Sequence, residues 1–335
     1  MKIIVHPAVE PERLNALTKA APRAVWINAV DRRTALAEIA DAEALLGKID
    51  LELLAAAKKL RWVQAFTASL EHYMFPELIE HPCVLTNTRG LFGDVIADQV
   101  IGYVICFARN LHTYIRRQID RRYEPVGGET ERVNNATGPG TINGMDRSVI
   151  HLANASIGIV GFGGIGGEIA RRALAFGMTV RAVDRFPDRA AHVPGIEYLA
   201  GLDRLTDLIS TSDFVVIAAP HTPETERMFN RSLFEKFKPT GYLINVGRGA
   251  IVVLDDLVTA LKERKLAGAA LDVYEIEPLP RDHPLWDMPN VILTPHTAGY
   301  SPAIAARHLA VLVENVGRFA RGEALINIVN KSLWC

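Results

Sequence analysis

The stretch that most restricts what this chain can fold into is residues 158–178, "GIVGFGGIGGEIARRALAFGM". An apolar, β-branched run enters it and an alanine-rich run leaves it, with G-x-G-x-x-G at Gly161, Gly163 and Gly166 between them. A strand that turns this tightly into a helix suits a parallel sheet, because the helix must carry the chain back before the next strand begins. Gly161 permits the tight turn, Gly163 lets the backbone approach a pyrophosphate, and Gly166 lets helix and strand pack closely. The amides of Gly164 and Ile165 open the helix, where unpaired N–H groups and the helix dipole favour an anion. Asp184 closes the next strand, 23 positions after Gly161 (161 to 184). A carboxylate there bonds the ribose hydroxyls of a dinucleotide and repels a 2′-phosphate. The pattern predicts NAD as the cofactor and disfavours NADP, with Arg185 beside the carboxylate as a softening influence.

At 335 residues the chain is long for one compact domain, and two are expected. Nearly half of it is apolar (49%) and 22% is charged, enough to build a sizeable core. A formal net charge of -1 offers no attraction to nucleic acid or an anionic membrane, and neither is expected as a partner. Three cysteines (Cys83, Cys106 and Cys335) without a CxxC pair predict free thiols rather than a disulfide framework or a zinc site, and no metal is expected. The opening "MKIIVHP" lacks the long apolar segment of a signal peptide, and "VIGYVICFA" (100–108) is too short to span a bilayer. A cytoplasmic protein is expected.

Short β-branched runs alternate with helix-like segments along most of the chain, the pattern of βαβ units. "KIIVH", "AVWIN", "ALLGK", "RWVQAF" and "CVLTNT" read as strands in the first third, with helices at 33–42 and 51–58 and a longer one from Asp94 to Arg117. Residues 123–148 are rich in Gly, Asn and Pro without apolar periodicity and read as an arm or lid loop. A second strand series follows: "IGIVGF" (157–162), "TVRAVD" (179–184), "FVVIAAP" (214–220), "YLINVG" (242–247), "AALDVY" (269–274) and "VILTPH" (291–296). Residues 302–320 read as an amphipathic helix.

Ligands of open parallel sheets bind outside the carboxyl ends of the strands, so the residues after each strand are the place to search. There stand Pro220 and His221, then Arg248 between two glycines, then Asp272, Glu275 and Glu277, and finally His296. A histidine exchanges a proton near neutral pH, and a carboxylate on its second ring nitrogen orients it and favours its charged form. An arginine fork matches a carboxylate or polarises a carbonyl. Beside a nicotinamide, the three suit reduction of a 2-oxo acid to a 2-hydroxy acid.

Five motifs in order carry a resemblance: "GFGGIG" with Asp184, "PHTPET" (220–225), "LINVGRGAIV" (243–252), "AALDVYEIEPLP" (269–280) and "LTPHTAG" (293–299). The chain resembles the D-isomer-specific 2-hydroxyacid dehydrogenases, in particular the glyoxylate/hydroxypyruvate reductase-like subgroup. The resemblance implies an α/β fold of two doubly wound parallel-sheet domains, a Rossmann NAD-binding domain inserted into a flavodoxin-like substrate domain. It places the substrate domain at 1–115 and 300–335 and the dinucleotide domain at 116–299. It implies Arg248 as the group that binds substrate carboxylate and carbonyl, His296 as acid/base and Glu277 as the carboxylate behind it. Asp272 would hold the nicotinamide carboxamide, with Ala219, Pro220, Val246, Gly247 and Gly299 lining the cofactor. Formate dehydrogenases of the superfamily carry glutamine where this chain has Glu277, so the glutamate points to proton-transferring chemistry. "WVQAFTASLEHYM" (62–74) resembles the loop that offers backbone N–H groups to the substrate carboxylate, here from Ala68, Ser69 and Leu70. Ser69 stands where the subgroup usually has glycine, which spares the backbone donors and leaves the substrate's identity open. The family also implies a homodimer.

Arg89 is expected to be solvated, His221 to serve its turn as readily as a ligand, Glu275 to be exposed or ion-paired, and His283 and Trp286 to lie near the cleft, Trp286 as packing rather than substrate contact. The other histidines are assigned no role. Two rivals remain. An NAD-sensing regulator on the same fold, similar to the C-terminal-binding-protein corepressors, would bind cofactor without turnover. An L-specific dehydrogenase would usually place its dinucleotide fingerprint near the N-terminus.

Overall fold

The computed structural model describes residues 1–128, 140 and 142–334. Much of the expected arm (129–139 and 141) and Cys335 lie outside the described residues. The chain forms two units, Met1–Leu91 with Ser301–Cys335 and Phe92–Tyr300.

In the first unit, five short apolar runs form parallel strands: β1 (Lys2–His6), β2 (Val25–Asn28), β3 (Ala44–Gly47), β4 (Trp62–Gln64) and β5 (Val84–Thr86). Their order is β2-β1-β3-β4-β5, the flavodoxin-like arrangement. A parallel sheet is covered on both faces, which is why β3 and β4 are buried at every position. Polar residues inside such a sheet must be paired. Trp62 Nε1 donates to Thr86 Oγ1 at 2.9 Å, Thr86 Oγ1 donates to Gln64 Oε1 at 2.8 Å, and Asn315 Nδ2 donates to the same oxygen at 2.8 Å. Asn315 belongs to the C-terminal helix Ile304–Arg321, so this network fastens that helix to the unit it ends.

The second unit holds seven parallel strands: β6 (Ser156–Val160), β7 (Thr179–Val183), β8 (Tyr198–Ala200), β9 (Phe214–Ile217), β10 (Tyr242–Asn245), β11 (Gly268–Leu271) and β12 (Val291–Leu293). The order β12-β11-β10-β9-β6-β7-β8 makes β6 the strand from which the sheet grows in both directions. That is the topological switch point of a Rossmann sheet, where the carboxyl ends leave a crevice. β8 escapes the sequence reading because it is only three residues long, half-exposed and without a β-branched residue.

One expectation needs correction. The helix predicted from Asp94 to Arg117 is two: α1 (Gly93–Ala108) and α2 (Leu111–Ile119). They part at Asn110, which adopts φ 57° and donates from Nδ2 to Ser148 O at 2.7 Å. Asparagine tolerates the left-handed region better than most residues, so a break there leaves no glycine or proline in the sequence. The compact units part at Leu91/Phe92 and Tyr300/Ser301, beside the domain limits expected at 115/116 and 299/300. Ile96, Val100, Tyr103, Val104 and Phe107 of α1 are buried in the same core as Ile157, Ile159 and Ala170, and Arg172 pairs with Asp98 at 2.7 Å. Periodicity shows that a helix has an apolar face but not which sheet receives it.

Candidate active site

The glycine-rich turn behaves as its residue types require. Gly161 has φ +92°, and a Cβ there would lie 2.6 Å from Ala219 N. At Gly166 a Cβ would meet Gly161 O at 2.3 Å, so the third glycine permits close contact of turn and helix. Gly163 caps helix α3 (Gly164–Ala175), whose first intrahelical bond runs from Gly167 N to Gly163 O. A Cβ on Gly163 or Gly164 would meet nothing within 4 Å, so both face open space. With Ile165 and Gly166 they present helix-start N–H groups there, a donor set that fits a pyrophosphate.

Asp184 follows β7, and its carboxylate accepts from Phe162 N at 2.7 Å and from Phe186 N at 2.8 Å. The acid is thereby fastened to the glycine-rich turn, and each oxygen keeps acceptor capacity for a hydroxyl. Arg185 pairs with Glu224 at 2.7 Å, and its guanidinium lies 5.0 Å from the Phe186 ring centroid.

At the end of β10 the sequence reading missed a residue. Asn245 is fully buried, its Oδ1 accepts from Gly247 N at 3.1 Å, and its Nδ2 donates to Arg248 O at 3.1 Å. This side chain shapes the turn Val246–Gly247–Arg248. A Cβ at Gly249 would fall 1.8 Å from Tyr274 O, so only glycine lets the Arg248 turn lie against the end of β11. A buried asparagine ending an apolar strand, two residues before a glycine, was the available signal.

After β11, Glu277 Oε1 accepts from Tyr274 N at 3.0 Å, and its Oε2 meets His296 Nδ1 at 2.7 Å. His296 follows β12 with φ 54°. Its imidazole is half-exposed, so the ring is held on one side and open on the other. Nδ1 is engaged by the carboxylate, which leaves Nε2 as the nitrogen for exchange with a ligand.

Asp272 is 2% exposed. Its carboxylate accepts from Thr294 Oγ1, from Thr297 N at 2.9 Å and from Ala298 N at 2.9 Å. Most of its acceptor capacity is therefore spent inside the protein, with one lone-pair direction on Oδ2 left for the expected carboxamide. Ala219, Val246 and Gly247 are buried behind the turns they belong to, Pro220 is exposed, and a Cβ on Gly299 would press on Phe92 at 3.3 Å.

Other residues settle into local tasks. Glu275 accepts from Leu254 N at 2.8 Å at the start of helix Leu254–Lys262 and pairs with Arg227 at 3.2 Å. His283 Nδ1 accepts from Leu285 N at 3.3 Å, and Trp286 Nε1 donates to Pro280 O at 2.8 Å. His221 Nε2 is buried without a hydrogen-bond partner among the described residues, 3.8 Å from Glu226 Oε2. Arg89 is exposed.

In the first unit, the carbonyls of Ala68, Ser69 and Leu70 accept from Asn87 Nδ2 (2.8 Å), Thr67 Oγ1 (2.7 Å) and Tyr73 N (2.8 Å). Their amides donate to no acceptor among the described residues. With its carbonyls tied down, the loop keeps these amides as its unspent polar groups.

Sheet order, glycine-rich turn and acidic strand end together define an α/β fold of the dinucleotide-binding class. Residues 101–298 match the family model "D-isomer specific 2-hydroxyacid dehydrogenase, NAD binding domain". A glyoxylate reductase of Thermofilum pendens is 33% identical over 312 residues, 90% of this chain and 85% of that protein. Among solved structures, a D-isomer specific 2-hydroxyacid dehydrogenase family protein from Aeromonas salmonicida is 30% identical with TM-score 0.76, covering 98% of this chain and 99% of that one. An NADPH-dependent glyoxylate/hydroxypyruvate reductase from Sinorhizobium meliloti, in complex with NADP and sulfate, is 25% identical with TM-score 0.77, covering 100% and 99%. The chain belongs to the D-isomer-specific 2-hydroxyacid dehydrogenase family and is an NAD(P)-dependent oxidoreductase. No helix among the described residues is long and apolar enough to cross a membrane.

Proposed function

We propose that the chain reduces small 2-oxo acids of the glyoxylate and hydroxypyruvate type to D-2-hydroxy acids, with NADH as reductant. The 2.7 Å pair of His296 Nδ1 and Glu277 Oε2 carries this reading, because it stands at the carboxyl edge of the sheet whose switch point holds the glycine-rich turn. When bound, NADH supplies the hydride from C4 of its nicotinamide to the carbonyl carbon. His296 delivers a proton from Nε2 to the carbonyl oxygen, and Glu277 holds the ring and balances its charge. Arg248 presents its fork to the carboxylate and stabilises negative charge developing on the oxygen. In the first unit, the amides of Ala68, Ser69 and Leu70 are N–H donors of the kind a carboxylate takes.

NAD is favoured over NADP by the fastened carboxylate of Asp184, which meets ribose hydroxyls well and a 2′-phosphate badly. The names of the relatives support the substrate class, although the Sinorhizobium enzyme is NADPH-dependent. Following NADH and NADPH oxidation with glyoxylate, hydroxypyruvate, pyruvate and bulkier 2-oxo acids tests all of this. Turnover of the two small acids, faster with NADH, is the expected result. NADH binding without turnover of any acid would put the NAD-sensing regulator in its place.

A homodimer is part of the same proposal. Leu111, Ile115 and Ile119 are spaced i, i+4, i+8 on α2 and are 39%, 56% and 77% exposed, an apolar stripe that a monomer would leave wet. Sedimentation velocity should show a dimer that Ile115→Glu converts to monomer. A monomeric wild-type chain would refute it.

A further inference from the structure

The loop that carries His296 is held by a chain of hydroxyl groups that reaches back to α1. Positions 294, 297 and 298 each bond the Asp272 carboxylate, and His296 N donates to Asp272 O at 2.9 Å. One buried acid thus grips nearly the whole segment from Thr294 to Ala298. It needs to, because His296 sits in the left-handed region, which disfavours residues with a Cβ. The direction of the hydroxyl bonds follows from counting protons. Thr294 Oγ1 has one hydrogen and donates it to Asp272 Oδ1. The threonine oxygen is left as acceptor, and the group facing it is the Tyr103 hydroxyl. Tyr103 is 3% exposed on α1, and burial pushes its phenol up, so it remains a donor. Tyr274 adds a second grip by donating its hydroxyl towards Leu271 O and Thr294 O, each at 2.9 Å. Around Tyr103 the core of α1 is apolar, with Val100, Val104 and Phe107, so packing alone would be served as well by phenylalanine.

We propose that Tyr103 and Thr294 are positioning residues for His296: the relay Tyr103 O–H to Thr294 Oγ1 and Thr294 O–H to Asp272 sets the carboxylate that holds the loop where His296 meets Glu277. The inference rests on the reading of His296 as the acid/base. Tyr103→Phe and Thr294→Val remove one hydroxyl each at nearly constant volume, and Thr294→Ser restores the second. Steady-state kinetics with NADH and glyoxylate, NADH affinity by fluorescence, and thermal melting are to be measured for the three variants and for His296→Asn. The expected result is a loss in kcat of about tenfold to a hundredfold for Thr294→Val, as for a lost hydrogen bond to a charged group, and a several-fold loss for Tyr103→Phe. KM and NADH affinity should stay within about twofold, and Thr294→Ser should recover most of kcat. If Tyr103→Phe and Thr294→Val melt lower but keep wild-type kcat, or if Thr294→Ser is as slow as Thr294→Val, the relay is structural only and the proposal falls. Full activity in His296→Asn would overturn the acid/base reading and the relay with it. A dead His296→Asn beside fully active hydroxyl variants would overturn the relay alone.

Discussion

His296→Asn is expected to lower kcat by about 10²- to 10⁴-fold, the usual effect of losing a general acid. Asparagine is the instructive replacement because of the backbone. His296 has φ 54°, and asparagine enters that region more readily than other residues with a Cβ. The loop should therefore keep its bonds to Asp272, and the loss reports the missing ring rather than a collapsed turn. Thermal melting within a few degrees of wild type and unchanged NADH affinity are the required companions. Glu277→Gln belongs to the same experiment. Its single amide oxygen can accept from Tyr274 N, but the NH2 that then faces the ring can only donate, and the side chain carries no charge. A smaller loss, about tenfold, is expected. If both variants keep wild-type kcat, the pair is not the acid/base.

Arg248→Lys is expected to lower kcat/KM by about 10²- to 10³-fold, corresponding to about 3–4 kcal/mol of lost charge stabilisation. Lysine keeps the positive charge but not the planar fork, and a fork is what meets carboxylate and carbonyl together. The turn that presents Arg248 is rigid, built by the buried Asn245 and by a glycine that fits against Tyr274. A shorter reach or a single-point donor therefore has little chance to adapt. Arg227→Lys is the control, an exposed arginine of the same unit that pairs with Glu275. Exposed pairs of that kind contribute little, and no kinetic effect is expected. Equal losses at Arg248 and Arg227 would mean that overall charge matters and the fork does not.

Much of the fold was legible along the chain. Strands β1 to β7 and β9 to β12 overlap the short, mostly apolar runs read as strands, because the central strands of a parallel sheet are buried on both faces. The turn at Gly161 was legible because only glycine fits where a Cβ would strike Ala219 N. Elements whose identity depends on distant contacts were not legible. Asn110 divides a run that reads as one helix, and its side chain is satisfied by Ser148, 38 residues away. β8 earns its place by pairing with β7, not by its own sequence.

The candidate site divides in the same way. Gly161, Asp184, Arg248, Glu277 and His296 stood out because strand ends in a parallel sheet gather at one edge, and position along the chain predicts position in space. What the sequence by itself determined is this list of chemically able groups and the class of sheet that lines them up. Only the tertiary structure decided how they are held. It put Glu277 Oε2 2.7 Å from His296 Nδ1, turned Asp272 under the histidine loop, and set Asn245 and Tyr103 behind Arg248 and Thr294. The reason is physical: hydrophobic periodicity encodes which face is buried, but a hydrogen bond between residues far apart in sequence depends on register and rotamer, which only the packed core settles.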